Sequence, residues 1–111
     1  DSFCKDAVAL NSSANGVDVA FSSQDVTGMD DGWDVILAGD VFYDKAFAEN
    51  LLPWFRSLAA RGAKVLVGDP GRHYLPKDGL EALATYEVPV TRALEDAEVK
   101  RTTVWALSNN L

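Results

Sequence analysis

Apolar residues recur along this chain with two different periods, and the alternation between them sets the fold class. Phe3, Ala7, Leu10 and Ala14 stand at helical spacing, and Asn15-Gly16 supplies a C-cap. Val17 to Phe21 reads as a short strand, closed by the polar Ser22-Ser23-Gln24-Asp25. A loop through Gly28 and Asp30-Asp31-Gly32 leads into a second strand, Trp33 to Gly39. Phe47, Leu51, Phe55 and Leu58 mark an amphipathic helix that ends at Arg61-Gly62. Pro53 falls inside it and predicts a kink or a split, because proline lacks an N–H donor and its ring crowds the preceding turn. Lys64 to Gly68 is another strand, and Pro76 suits the first turn of a further helix through Leu80 and Leu83. Glu87 to Thr91 and Thr102 to Leu107 read as final strands, with the charged stretch Glu95 to Arg101 between them as a solvated hairpin or loop. Helix and strand alternating in this way predict an α/β fold on a mostly parallel sheet, with an antiparallel pair at its C-terminal edge.

The run Trp33-Asp34-Val35-Ile36-Leu37-Ala38-Gly39-Asp40-Val41-Phe42-Tyr43-Asp44 carries the most information about chemistry. Its apolar stretch suits a strand buried on both faces, as in a parallel sheet covered by helices. It then stops at a carboxylate, Asp40, with Tyr43 three residues further on. Ligands of such sheets sit just beyond the carboxyl ends of the strands, so Asp40 and Tyr43 project toward a binding site. Lys64 to Gly68 ends in the same way, at Asp69, before the turn Pro70-Gly71-Arg72.

Composition narrows the function classes. With 111 residues the chain accommodates one domain, and 48% hydrophobic against 24% charged residues marks a globular sequence. It contains no internal repeat, low-complexity tract or interdomain linker. A formal charge of −7 argues against a nucleic-acid partner, which needs clustered Lys and Arg. No stretch approaches the roughly 18 apolar residues of a membrane span, so no membrane partner is expected. The single cysteine, Cys4, excludes an internal disulfide, fits a reducing cytoplasmic compartment, and is read as a small buried residue. His73 is the lone histidine and lacks the neighbours of a metal site, so no metal is expected. Trp33, Trp54 and Trp105 are read as packing residues between helix and sheet.

Several segments, in order, resemble the class I S-adenosylmethionine methyltransferases. Asp1-Ser2-Phe3-Cys4 with Ala7-Val8-Ala9-Leu10-Asn11 and Ala14-Asn15-Gly16-Val17 resembles the stretch after their second strand. Asp40-Val41-Phe42-Tyr43 matches the acidic-x-x-aromatic motif of a lysine-methylating branch. Val67-Gly68-Asp69-Pro70-Gly71-Arg72 and Thr103-Val104-Trp105 extend the similarity to the lysine methyltransferases of the electron-transfer flavoprotein β subunit and their bacterial relatives. The resemblance implies a Rossmann-like sheet with strands ordered 3-2-1-4-5-7-6, S-adenosyl-L-methionine as cofactor, and a protein lysine as methyl acceptor, the electron-transfer flavoprotein β subunit among the candidates. It also implies that the first two strands, with their Gly-rich cofactor loop, lie upstream of Asp1, since no Gly-x-Gly pattern occurs here. The chain is then the C-terminal part of one methyltransferase domain and inactive in isolation. The strand Val17–Phe21 would lack a neighbour, and one edge of Trp33–Gly39 would stand open.

Within that frame each candidate residue has a chemical reading and a plainer one. Asp40 would accept hydrogen bonds from the incoming lysine nitrogen; the plainer role is to cap the next helix, for which Asp44 competes. Tyr43 and Phe42 would wall the lysine channel, Phe42 having core packing as its alternative. Asp25, after the third strand of the family scheme, would contact the adenine amino group, or else be solvated; Asp1 lies close behind the ribose-binding acidic position. Asp69 and Arg72 lie on the substrate side, or serve only the turn they occupy. Two other classes remain open. A receiver-like signalling domain also ends a central strand in aspartate, but it needs an acidic pair after its first strand and a lysine after its last, and this chain has neither. A non-catalytic module that binds a protein partner would show no upstream Gly-rich loop.

Overall fold

The computed structural model describes residues 2–89 and 99–108. In chain order these form α1 (Ser2–Asn15), β1 (Val35–Gly39), α2 (Lys45–Ala60), β2 (Lys64–Asp69), β3 (Leu80–Pro89) and β4 (Val99–Leu107). The sheet is four-stranded, in the order β1-β2-β4-β3. β1 and β2 are parallel, while β4 runs antiparallel to both β2 and β3. The α/β class and the antiparallel C-terminal strands are as expected from sequence. The described sheet is mixed, with a single parallel pairing. Its order corresponds to the 4-5-7-6 portion of the order implied by the resemblance.

α2 organises the core. Asp44 caps it, extended at φ −129° and ψ 135°, with Oδ2 accepting from the Phe47 N–H at 2.9 Å. The apolar stripe Leu51, Phe55 and Leu58 packs onto the sheet face that presents Val65 and Val67 of β2. Phe42, Leu58, Val65 and Val67 are all less than 2% exposed. Burying each contributes about 1.5–3 kcal/mol. Pro53 neither splits nor ends the helix, which runs unbroken from Lys45 to Ala60. It stands on the exposed side, where water can serve the carbonyl of Glu49 that its missing N–H leaves without a partner.

Three local expectations are corrected. Val17–Phe21 forms no strand: its alternating Val17, Val19 and Phe21 are exposed and no neighbouring strand supplies hydrogen bonds. The helix expected from Pro76 through Leu83 is absent. Gly79 turns at φ 79°, the Ser108 N–H bonds its carbonyl, and Leu80 begins β3 opposite Leu107. Pairing overrides the helical propensity of Leu80-Glu81-Ala82-Leu83-Ala84, with a register shift between Ala82 and Ala84. β4 begins at Val99, so the end of the charged stretch is strand and not loop; Glu95 to Glu98 and Thr91 lie outside the described residues.

β1 also differs from expectation, being covered on one face only. Ile36 and Ala38 pack against the core, whereas Val35 and Leu37 are 52% and 75% exposed. An apolar groove of about 480 Å³ runs beside β1 between Trp33, Val35, Leu37, Phe47 and Trp54. Among the described residues α1 packs against neither the sheet nor α2, and Cys4 on it is exposed, not buried. No helix among them is long and apolar enough to cross a membrane.

Phe42 separates packing from substrate contact. Phe42→Ala should destabilise the full-length protein by about 3–5 kcal/mol in urea unfolding. A loss below about 1 kcal/mol would remove Phe42 from the core.

Candidate functional site

Two strands end in the same dipeptide, Gly39-Asp40 and Gly68-Asp69, and the parallel register sets the two glycines side by side. The Asp40 N–H extends the ladder to the Gly68 carbonyl at 2.8 Å. Asp40 then adopts φ 48°, a left-handed conformation that aspartate tolerates better than most residues. β2 is one residue longer, so Asp69 remains in the strand and is 1% exposed. Its Oδ2 accepts from the Gly71 N–H at 2.7 Å and the Arg72 N–H at 2.8 Å, fixing the turn after β2.

That turn delivers Arg72 to Asp40. Arg72 Nε donates to Oδ1 at 2.8 Å and Nη2 to Oδ2 at 2.7 Å, a bidentate pair joining residues 32 apart in sequence. The arginine holds the Asp40 carboxyl below its ordinary pKa; partial burial opposes the shift and the more distant Lys100 of β4 assists it. Both side chains keep about two-fifths of their surface, at 39% for Asp40 and 40% for Arg72. A pocket of about 270 Å³ opens beside them, lined by Gly39, Asp40, Gly68, Pro70, Lys100 and Thr102. The arrangement is an ionised acceptor, pinned in direction, next to a space that two glycines, Gly39 and Gly68, help to line.

The other candidates fall in different places. Tyr43 is exposed on the same strand end, with its ring tilted against Phe47 at 5.8 Å. Phe42 points the other way, fully buried and edge-on to Phe55, so packing describes its surroundings. Asp44 holds the helix cap, which releases Asp40 from that role. Asp25 is exposed on its loop, and Oδ1 accepts from the Thr27 N–H at 3.0 Å. Hydrogen bonds from the Thr27 side chain and backbone lower its pKa. Asp1 lies outside the described residues. His73 packs edge-on to Tyr74, and no group of three or more metal-ligating side chains occurs among the described residues. Trp54 packs flat on Phe55 and donates from Nε1 to the Met29 carbonyl at 2.7 Å, which ties the preceding loop to α2.

Sequence reasoning named Asp40, Asp69 and Arg72 separately and missed their connection. The repeated Gly-Asp at two strand ends was the available signal for the paired glycines. Lys100 was hidden because it falls in the stretch read as loop.

Arg72→Gln should return the Asp40 carboxyl toward its ordinary value of about 3.9, followed by carbon-detected NMR titration. Because the folded pKa is depressed, the pair's stabilisation is present at neutral pH. It declines below about pH 4 and is lost as pH falls through the folded value. An unchanged Asp40 titration in the variant would show that Arg72 does not govern it.

Curated relatives that share one name are similar to this chain. The electron transfer flavoprotein beta subunit lysine methyltransferase of Danio rerio is 38% identical over 80 residues, covering 68% of this chain and 31% of the relative. The Xenopus laevis protein of the same name is 33% identical over 113 aligned positions, covering 96% of this chain and 46% of the relative. The Caenorhabditis elegans homolog is 45% identical over 58 residues, covering 51% of this chain and 23% of the relative. No family model matches the chain, and no solved structure matches it significantly. The chain thus spans between about a third and a half of the Danio and Xenopus relatives' length. Through these proteins the chain is related to the class I methyltransferases.

Proposed function

We propose that this chain is the C-terminal part of a single methyltransferase domain and that its Asp40 edge is the methyl-acceptor side. The reaction is transfer of a methyl group from S-adenosyl-L-methionine to the side-chain amine of a protein lysine. The electron transfer flavoprotein beta subunit is the first candidate substrate, from the names of the relatives. A single cysteine suits a cytoplasmic setting.

The observation that carries this reading is the Asp40 carboxylate, ionised, held by Arg72 and still accessible beside a pocket at the carboxyl ends of parallel strands. When bound, the methyl donor supplies an electrophilic carbon on a sulfonium and leaves as a thioether. To accept that carbon, the lysine nitrogen would have to arrive as a neutral amine, its extra proton already released to solvent, with its lone pair free. The protein's task is alignment of that nitrogen. Asp40 offers the lone pairs that take its N–H groups, and Tyr43 stands at the same strand end to flank the lysine stem. Arg72 reaches this site through Asp40, and Asp69 acts by building the turn.

The described residues do not make a cradle for the donor. Asp25, the one described residue given that role by resemblance, has an oxygen committed to its own turn. The open β1 edge and its apolar groove support a donor side contributed by further residues.

In the full-length protein, Asp40→Asn should lower methyl transfer to the flavoprotein beta subunit by about a hundredfold or more, with affinity for S-adenosylhomocysteine nearly unchanged. Equal losses in both would remove Asp40 from the acceptor role.

A further inference from the structure

Asp40 poses an electrostatic problem if it receives a lysine. An amine of ordinary pKa near 10.4 has a neutral, nucleophilic population on the order of one in 10³ at pH 7. A bare carboxylate within hydrogen-bond reach favours the ammonium and raises that pKa by about 1–3 units. Asp40 alone would therefore capture the substrate in the form that has no lone pair to attack with.

The carboxylate is not bare. Each oxygen carries one guanidinium N–H, from Arg72 Nε at 2.8 Å and Nη2 at 2.7 Å. Lys100, from β4, lines the same pocket and adds a second positive field at Asp40. Among the described residues, the neighbouring ionisable groups are also Asp69 at the start of the turn, His73 next to Arg72, and Tyr43 and Asp44 on the segment of Asp40 itself. Asp69 directs Oδ2 onto the Gly71 and Arg72 N–H groups, and Asp44 directs Oδ2 onto the Phe47 N–H. A carboxylate has about four lone-pair sites, and Arg72 occupies two, leaving the others for an incoming amine. The guanidinium stays charged at any working pH and fixes a planar fork, which a lysine at position 72 would not. Its backbone is anchored by Asp69, itself 1% exposed, so the fork is held in place and not merely attracted there.

We propose that Arg72 is a positioning residue that cancels the charge of Asp40, so that the carboxylate aligns the substrate lysine as a neutral amine. This rests on the acceptor role of Asp40 proposed above. Arg72 thereby sets the pH range of methyl transfer, while Asp40 sets the direction of the nitrogen.

The test is the pH dependence of kcat and KM in the full-length protein, with S-adenosyl-L-methionine and the electron transfer flavoprotein beta subunit as probes. Wild type, Arg72→Gln, Arg72→Lys and Asp40→Asn are compared. Arg72→Gln should move the midpoint of the rising alkaline limb up by about one pH unit. Activity at neutral pH then falls about tenfold and recovers at higher pH. Arg72→Lys, which restores a charge without the fork, should return the midpoint toward wild type but raise KM above the wild-type value. A loss of folded protein that is constant with pH leaves the midpoint unmoved, and circular dichroism across the same pH range checks that constancy. Activity lowered equally at all pH values in Arg72→Gln, with Asp40→Asn impaired, would overturn the role of Arg72 alone. Full activity of Asp40→Asn, or no transfer by wild type at any pH, would overturn the acceptor reading beneath it.

Discussion

The parallel register of β1 and β2 is the constraint on which the rest depends. It sets Gly39 against Gly68, so the two following carboxylates leave the sheet beside one another. A one-residue slip would turn every side chain of β1 to the opposite face. Ile36 and Ala38 would lose their place under α2, and Asp40 would lose its bond to the Gly68 carbonyl. Core packing and site geometry are thus specified by the same alignment. The two aspartates then diverge because β2 is one residue longer. Asp69 is buried and builds a turn; Asp40 is accessible and receives the arginine which that turn presents.

Apolar surface is distributed unevenly around this sheet. α2 covers β2, while beside β1 a groove lined by Trp33, Ile36, Ala38 and Trp54 stays open and Val35 and Leu37 are exposed. Phe3 and Leu10 of α1 are 80% and 73% exposed, and Val17 and Val19 after it are exposed as well. An apolar strand edge of this kind ordinarily finds a covering partner. The sheet order fits the portion of a methyltransferase sheet in which β1 would pair with a further strand on its free side. The methyl-acceptor and methyl-donor functions would then meet along β1.

Legibility in the sequence followed the range of the interactions involved. α1 and α2 could be read from helical periodicity and β1 and β2 from short apolar runs bounded by polar residues, although the run in β1 did not disclose that one of its faces is exposed. Asp44 as helix cap and the turn chemistry of Asp69 were also within local reach. Val17–Phe21 has a strand's alternation, but a strand exists only with a partner to bond, and that is not a local property. Leu80 to Ala84 has helical composition, yet its pairing with β4 prevails. Pro89 is tolerated in β3 because that strand lies at the sheet edge. Asp40 and Arg72 were each visible as candidates at strand ends. Their pairing across 32 residues depends on the turn built by a third residue, and no single segment encodes it.

Calorimetric titration of S-adenosylhomocysteine, run on the 111-residue chain and on a version extended upstream, tests the division into acceptor and donor sides most directly. Binding by the extended protein alone is expected if Asp40, Tyr43 and Arg72 form only the acceptor side. Tight binding by the 111 residues alone would place the donor site within this chain and contradict that division.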